Sequence, residues 1–480
     1  MAGLAPTTAL WSYAPTIVAS FGYGRLQANA LVSVGQWISV FLIVVAAFAA
    51  DKTGRRGLVV LFGVTCQWAF MVAFKCLPDT SSSSLKFGIL TMGAATCSWW
   101  HSVNGSWLSI NAPRPEDRAI RMAPPPPFTN IMRVGIIMGQ GIGPEITRAT
   151  QRVIEATGIP IDWEEVAIAD EAVEKYGHPL PPATVKQVRD IGLAIKAPLI
   201  VNKLEGRLSC VQNDGSSITY PSLNNAIRRE LGLFVNPRPI KGFPGVSGRH
   251  EDLDVVIMRE VTEDVYIGLE HKIGDDVAAE AIKLTTRAAA IRVARFSFEY
   301  ARKQGRKRVT CLHKANVLNH TDGLFLRCFQ QVSKEYADIV ADDMMIDAAC
   351  YTIVRDPRRF DVIVTSNQYG DIFSDLAAGL AGSLGLAPGA NIGDGVAVFE
   401  ACHGAAPDIA GKGIANPLAL VLSGALLLES QGYQKEAEAV RGAISLVLKE
   451  ERDLTPDLGG TGTTETLTTA VELEVKRLLS

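Results

Sequence analysis

The chain has 480 residues and a formal net charge of −3, with 47 Lys and Arg set against 50 Asp and Glu. That length exceeds one ordinary core and predicts two or three folding units, while the charge balance excludes a basic nucleic-acid surface and an acidic disordered tail. The eight cysteines are scattered without a C-x-x-C pair and read as free thiols of a reducing compartment; the histidines form no ligand cluster, and no signal peptide is evident.

Composition changes near residue 123. Residues 27–50, "QANALVSVGQWISVFLIVVAAFAA", carry no charge, and 31–50 is about the length a helix needs to cross a bilayer. Residues 58–74 give a second, shorter span. Residues 87–100 give a weaker third, with Trp99, Trp100 and Trp107 suited to an interface. The expectation is membrane association through residues 31–107; the alternative is that these are buried helices of a soluble domain. The basic "DKTGRRG" at 51–57 favours the cytoplasmic side, which would leave everything after residue 122 in the cytosol.

"APPPPF", 123–128, opens a proline linker that runs to residue 131. Beyond it, strand-like runs at 133–139, 253–259, 308–314, 360–366 and 396–402 alternate with helix-like runs. The helical runs are 144–156, 278–303, 321–336, 370–385, 417–430 and 433–450. This alternation predicts an α/β fold over 132–480. Residues 200–220 fit neither period and read as a loop.

"QYGDIFSD", 368–375, follows a buried strand and opens a helix, so Asp371 and Asp375 share one helix face. Two carboxylates there suit Mg²⁺ or Mn²⁺, although on this stretch alone helix capping by Asp371 and a solvated Asp375 is the stronger reading. Three further stretches favour a site: "PSLNNAIRRELGLFVNPRP" with Ser222, Asn224, Arg228 and Arg238; "MREVTEDVYIGLEH" with Arg259 and Tyr266; and "HKAN" with Lys314. Three arginines imply a polyanionic substrate, because guanidinium groups grip carboxylates in a two-pronged fork.

Residues 1–122 resemble the fungal allantoate-permease branch of the major facilitator superfamily through "YAPTIVASFGY", "DKTGRRG" and "VNGSWLSINAP". With at most three of about twelve helices, this piece implies an anchor or a misjoined gene fragment, not a transporter. Residues 132–480 resemble the NAD-dependent isocitrate and 3-isopropylmalate dehydrogenases. The carriers are "GQGIGPE", "PSLNNAIRRE", "TEDVYIGLEH", "HKANVLNHTDGLF", "YGDIFSDLAAGL", "EACHGAAPDIAGKGIANP" and "DLGGTGTT". The overall expectation is an α/β, isocitrate/isopropylmalate dehydrogenase-like two-domain fold, preceded by an α-helical membrane-type segment.

The second resemblance implies roles residue by residue. Arg228, Arg238 and Arg259 would bind substrate carboxylates. Asp371 and Asp375, with Asp347 from a second subunit, would bind Mg²⁺ or Mn²⁺. Tyr266, and Lys314 from the second subunit, would handle protons, their high pKa values lowered by the metal and the arginines. Asn316 would sit near the nicotinamide, and Glu400, His403, Gly404, Asp408 and Asn416 would contact NAD. Asp408, placed to accept a bond from a ribose hydroxyl, would repel the 2′-phosphate of NADP. Ser222 and Asn224 can hydrogen-bond a third carboxylate, which favours isocitrate over 3-isopropylmalate or another 3-alkylmalate. The resemblance also implies a homo- or hetero-oligomer with shared sites.

Some positions depart from the family pattern. Gln140 replaces an aspartate with a mainly structural role, Val261 an expected asparagine, and Asn319 and His320 a lysine-containing stretch. The segment after "KAPL" lacks the usual threonine-proline turn and glycine-rich loop. A misplaced loop there would favour a catalytically inactive, membrane-anchored scaffold. The compartment would be the membrane with a cytosol-facing enzyme if residues 1–122 are retained, and otherwise cytoplasm or mitochondrion.

Overall fold

The computed structural model describes residues 131–200, 208–211, 217–275 and 277–480, with scattered positions between 65 and 89. The chain divides into two compact units, Met1–Thr129 and Asn130–Ser480. The transporter-like reading of residues 1–122 and the linker at 123–131 lie almost wholly outside the described residues. Among the described residues, no helix is long and apolar enough to cross a membrane.

The second unit opens as strand–helix alternation, with β1 (Met132–Ile137), α1 (Gly143–Glu155), β2 (Ile161–Glu165), α2 (Asp170–Tyr176), α3 (Pro182–Ile191) and β3 (Leu193–Lys196). Pro144 sits in the first turn of α1, where a missing N–H costs nothing. A hairpin follows, β4 (Leu208–Val211) with β5 (Ser217–Tyr220), then α4 (Leu223–Glu230), β6 (Val235–Lys241) and β7 (Asp254–Glu260). A second hairpin, β8 (Glu270–Ile273) with β9 (Ala278–Ala281), leads to α5 (Arg287–Lys303), β10 (Arg308–His313), α6 (Thr321–Ser333), β11 (Val340–Met345) and α7 (Ile346–Arg355). The chain ends with β12 (Val362–Thr365), α8 (Asn367–Ala381), β13 (Pro388–Gly393), β14 (Val396–Ala401), α9 (Leu418–Ser430), α10 (Gln434–Lys449) and α11 (Thr464–Leu479).

Ten strands form one sheet in the order β11-β10-β12-β7-β6-β13-β14-β3-β1-β2. Four strands on each side are parallel, and β6 and β13 join the two wings through antiparallel pairings. Helices cover both faces, as near-continuously apolar parallel strands require. Helices α1, α9, α10 and α11 pack one core; α5 and α6 pack another against β7, β10 and β12, with α7 and α8 on the opposite face. Helix α9, "LALVLSGALLLES", is apolar almost all round because it is buried almost all round.

Two expectations need correction. Residues 278–281 are not the start of a helix. They pair with β8, and α5 begins only after Thr286, whose hydroxyl caps it by accepting from Ala289 N at 3.3 Å. Alanine and glutamate favour helix locally, but cross-strand pairing decides this stretch. Likewise, 200–220 is not a plain loop. Its described parts form a hairpin, with Ser209 and Thr219 hydroxyls 3.0 Å apart across the ladder and the Ser209 carbonyl accepting from His178 at 3.0 Å.

Candidate active site

A cavity of about 570 Å³ opens where β6, β7, β14, α4 and α8 meet. Its wall includes Ser222, Asn224, Arg228, Arg238, Arg259, Tyr266, Asp371, Glu400, His403 and Gly404, so much of the expected set converges on one hollow. Arg259 ends the buried face of β7, and Arg238 projects from β6, the next strand. Helix α8 brings Asp371 against both. Gly370 permits that approach, because a Cβ there would lie 2.7 Å from Arg259 Cγ.

Asp371 is the junction of this wall. Its Oδ1 accepts from Arg259 Nη1 and, at 3.2 Å, from Arg238 Nη1; its Oδ2 accepts from the Tyr266 hydroxyl at 2.7 Å. Further acceptors fix both guanidiniums: Arg259 Nε donates to Asn367 Oδ1 at 2.9 Å, and Arg238 donates to Asn236 and Ser374, both at 2.6 Å. Burial alone would raise the Asp371 pKa, but Arg259 and Arg238 outweigh it and hold the carboxyl below its usual range. Asp375, one turn on, is raised by burial despite Arg238, which lies 3.8 Å away, beyond hydrogen-bond reach.

Of the two influences expected to lower the Tyr266 pKa, the chain itself supplies the arginines. Burial pushes it up to about 12; Arg259 opposes this, while the charge of Asp371 and the bond to it add to the rise. The phenol therefore stays protonated, as a proton donor must be, while its raised pKa makes it a weaker acid than a free tyrosine.

The β14 wall holds a cation that the sequence did not single out. Lys196, buried at the end of β3, places Nζ 2.7 Å from Glu400 Oε2. The other oxygen of Glu400 accepts from Arg228 Nη2 at 3.0 Å and Asn391 Nδ2 at 2.7 Å, and Arg228 Nε donates to Asn391 Oδ1 at 3.0 Å. Burial would raise Glu400, yet Lys196 and Arg228 hold it well below the usual carboxylate range. Glu400, expected as a cofactor contact, thus has both oxygens engaged within the chain. Asn416 is similar: it donates to Asp457 at 2.9 Å and accepts from Leu418 N at 2.9 Å.

Other groups in or near the cavity retain bonding capacity. Asn224 Oδ1 and His403 Nε2 are buried without a hydrogen-bond partner. His403 Nδ1 donates to Gly404 O at 3.0 Å, so Nε2 is an acceptor, and burial lowers the pKa, keeping the ring neutral. Ser222 caps α4, accepting from Asn225 N at 3.3 Å. Asp408 and Asn316 are exposed outside the cavity wall. Gln140 braces the cavity margin, donating to Asp170 at 2.6 Å and accepting from Ile200 N at 2.9 Å.

Lys314 and Asp347 do not line this cavity; they pair with each other at 2.7 Å on an open surface. Lys314 lowers the Asp347 pKa through that bond. Among the described residues of the single chain, no three His, Cys, Asp or Glu side chains converge on one point. Asp371 and Asp375 nevertheless fit part of a hard-cation site: two carboxylates on successive turns of one helix, the second half-exposed and without a hydrogen-bonded donor.

The isocitrate/isopropylmalate dehydrogenase family matches residues 133–471. The chain is 45% identical to 3-isopropylmalate dehydrogenase of Archaeoglobus fulgidus over 328 residues, 68% of this chain and 94% of the relative. It is 42% identical to the mitochondrial NAD isocitrate dehydrogenase catalytic subunit 5 of Arabidopsis thaliana over 334 residues, 69% of this chain and 86% of that one. The crystal structure of isocitrate dehydrogenase from Methylococcus capsulatus superposes with a TM-score of 0.67 at 43% identity, covering 72% of this chain and 99% of that one. This chain belongs to the isocitrate/isopropylmalate dehydrogenase family and is a decarboxylating dehydrogenase.

Proposed function

We propose that the chain catalyses the NAD- and divalent-metal-dependent oxidative decarboxylation of a 2-hydroxy di- or tricarboxylate, with isocitrate, giving 2-oxoglutarate, as the favoured substrate. The observation that carries this reading is the meeting of three buried arginines and Tyr266 around Asp371 in one cavity. Arg228, Arg238 and Arg259 bind the substrate carboxylates. Asp371 and Asp375, with Asp347 of a second copy, would hold Mg²⁺ or Mn²⁺, which when bound polarises the hydroxyl and carboxylate oxygens and stabilises enolate charge. Lys314 of the second copy takes the hydroxyl proton, and Tyr266 returns a proton to carbon after CO₂ leaves. The exposed Lys314–Asp347 pair supports that sharing, since neither residue reaches its own cavity.

NAD binds along 403–416, with Asn316 near the nicotinamide; His403 Nε2 offers it an acceptor, and Asp408 faces the ribose hydroxyls. The polar wall formed by Lys196, Ser222 and Asn224 supports a third carboxylate on the substrate. A second reading, 3-isopropylmalate, draws on Leu199 and Val265, which also line the cavity, and on the Archaeoglobus relative. The Arabidopsis relative, a named subunit of a mitochondrial enzyme, supports an oligomer in mitochondria.

The test is NADH formation by the full-length chain with Mg²⁺, using isocitrate, 3-isopropylmalate, homoisocitrate and tartrate in parallel and NADP as control. Turnover of one substrate, lost in Asp375→Asn, supports the reading. A folded oligomer that reduces no NAD with any of them refutes it and favours the inactive scaffold.

A further inference from the structure

We propose that Glu400 is a positioning residue that presets Arg228 and Lys196 for the substrate carboxylate. The proposal rests on the reading of the cavity as a carboxylate site.

Glu400 lies in the middle of the sheet, paired with Gly389 on one side and Lys196 on the other. Its side chain and those of Lys196, Arg228 and Asn391 are all buried. Burying a carboxylate costs several kcal/mol unless charge and hydrogen bonds offset it, so its retention needs three matched donors. Lys196, Arg228 and Asn391 are those donors. Oε1 accepts two of these bonds and Oε2 one.

The consequence lies on the cations' other sides. Arg228 has five N–H groups; one goes to Asn391 and one to Glu400, and the residue also lines the cavity. Lys196 gives one proton to Glu400 and reaches the Ala197 carbonyl at a long 3.4 Å. Glu400 therefore holds two like charges side by side, cancelling their repulsion and freezing rotamers that a long side chain would otherwise have to order on binding. Arg238 and Arg259 need no such support, because Asp371 already lies between them.

Glu400→Gln tests this in the full-length chain. Substrate KM, kcat, NAD KM and the Kd of malonate without metal are measured together. The expected result is a rise of about tenfold or more in substrate KM and malonate Kd, with kcat and NAD KM within a few-fold of wild type. Asn391→Leu, which removes the amide bridging Arg228 and Glu400 while keeping both charges, is expected to give the same pattern at smaller size, and it decides the matter if Glu400→Gln does not fold. A folded variant with unchanged carboxylate affinity overturns the proposal, as does a rise confined to NAD KM, which would make Glu400 a cofactor contact. A wild-type protein that neither binds malonate nor turns over any hydroxy acid would instead remove the underlying reading of the cavity.

Discussion

Asp371→Asn should weaken the fold and yet tighten binding of a simple dicarboxylate. Arg259 and Arg238, 2% and 4% exposed, share the Asp371 carboxylate and lose their counter-charge in the variant. Breaking a fully buried ion pair costs roughly 3–5 kcal/mol. The Asp371 side chain is 36% exposed, and solvent screening brings the expected loss to about 2 kcal/mol. The same carboxylate also competes with any incoming one, because it occupies the N–H groups a substrate would use. Urea denaturation, with and without malonate and in the absence of divalent metal, measures both effects. Malonate should stabilise the variant more than wild type and bring their midpoints together. Equal stability without malonate, or weaker malonate binding to the variant, would refute the reasoning that Asp371 stands in for a substrate carboxylate.

Further predictions address protons and sharing. Tyr266→Phe should lower kcat by about 10²–10⁴ with little change in KM, since it removes a proton donor while leaving the arginines in place; steady-state kinetics decides. Glu260, buried beside Arg259, has its pKa raised from 4.5 to about 7 by burial, against the bonds it accepts from Thr262 and Glu263. The folded state therefore holds an extra proton between these values, and this residue's contribution to stability falls as pH rises from 4.5 to 7. Relative to wild type, Glu260→Gln should gain up to about 3 kcal/mol between pH 4.5 and 8, read by denaturant midpoints; a pH-independent difference would contradict the raised pKa. Mixing Tyr266→Phe with Lys314→Met before subunit exchange should restore roughly a quarter of wild-type activity, because each mixed dimer keeps one intact site. No recovery, despite mixed dimers seen by native mass spectrometry, would show that the sites are not shared.

The alternation of short apolar strands with amphipathic helices was legible because both periods are local, and β1, β7, β10, β12 and β14 lie where the apolar runs occur. Strand β6 was not, because "VNPRPIK" carries two prolines. Those prolines have no N–H to extend a second ladder; β13 meets β6 through one register pair, and Asn236 supplies a side-chain bond to Ala390 O at 2.7 Å. The two hairpins escaped notice because their pairing depends on a partner strand, not on composition.

The arginines, Tyr266, Asp371 and Asp375 could be singled out from the sequence because each sits in a short stretch whose residue types suit carboxylate or metal binding. What those residues do to one another could not be read there. Lys196, Asn391 and Glu400 lie in separate strands, and only the sheet register brings them onto Arg228. The direction of the Tyr266 shift was likewise a tertiary result: burial, the largest cause, and Asp371 raise it while Arg259 lowers it, and their balance depends on distances of a few ångströms. Sequence determined which chemical groups are available and the local elements that carry them. Tertiary structure decided their partners, because long-range pairing sets solvent exclusion and charge separation, and these fix whether a buried ion binds a ligand or holds another residue in place.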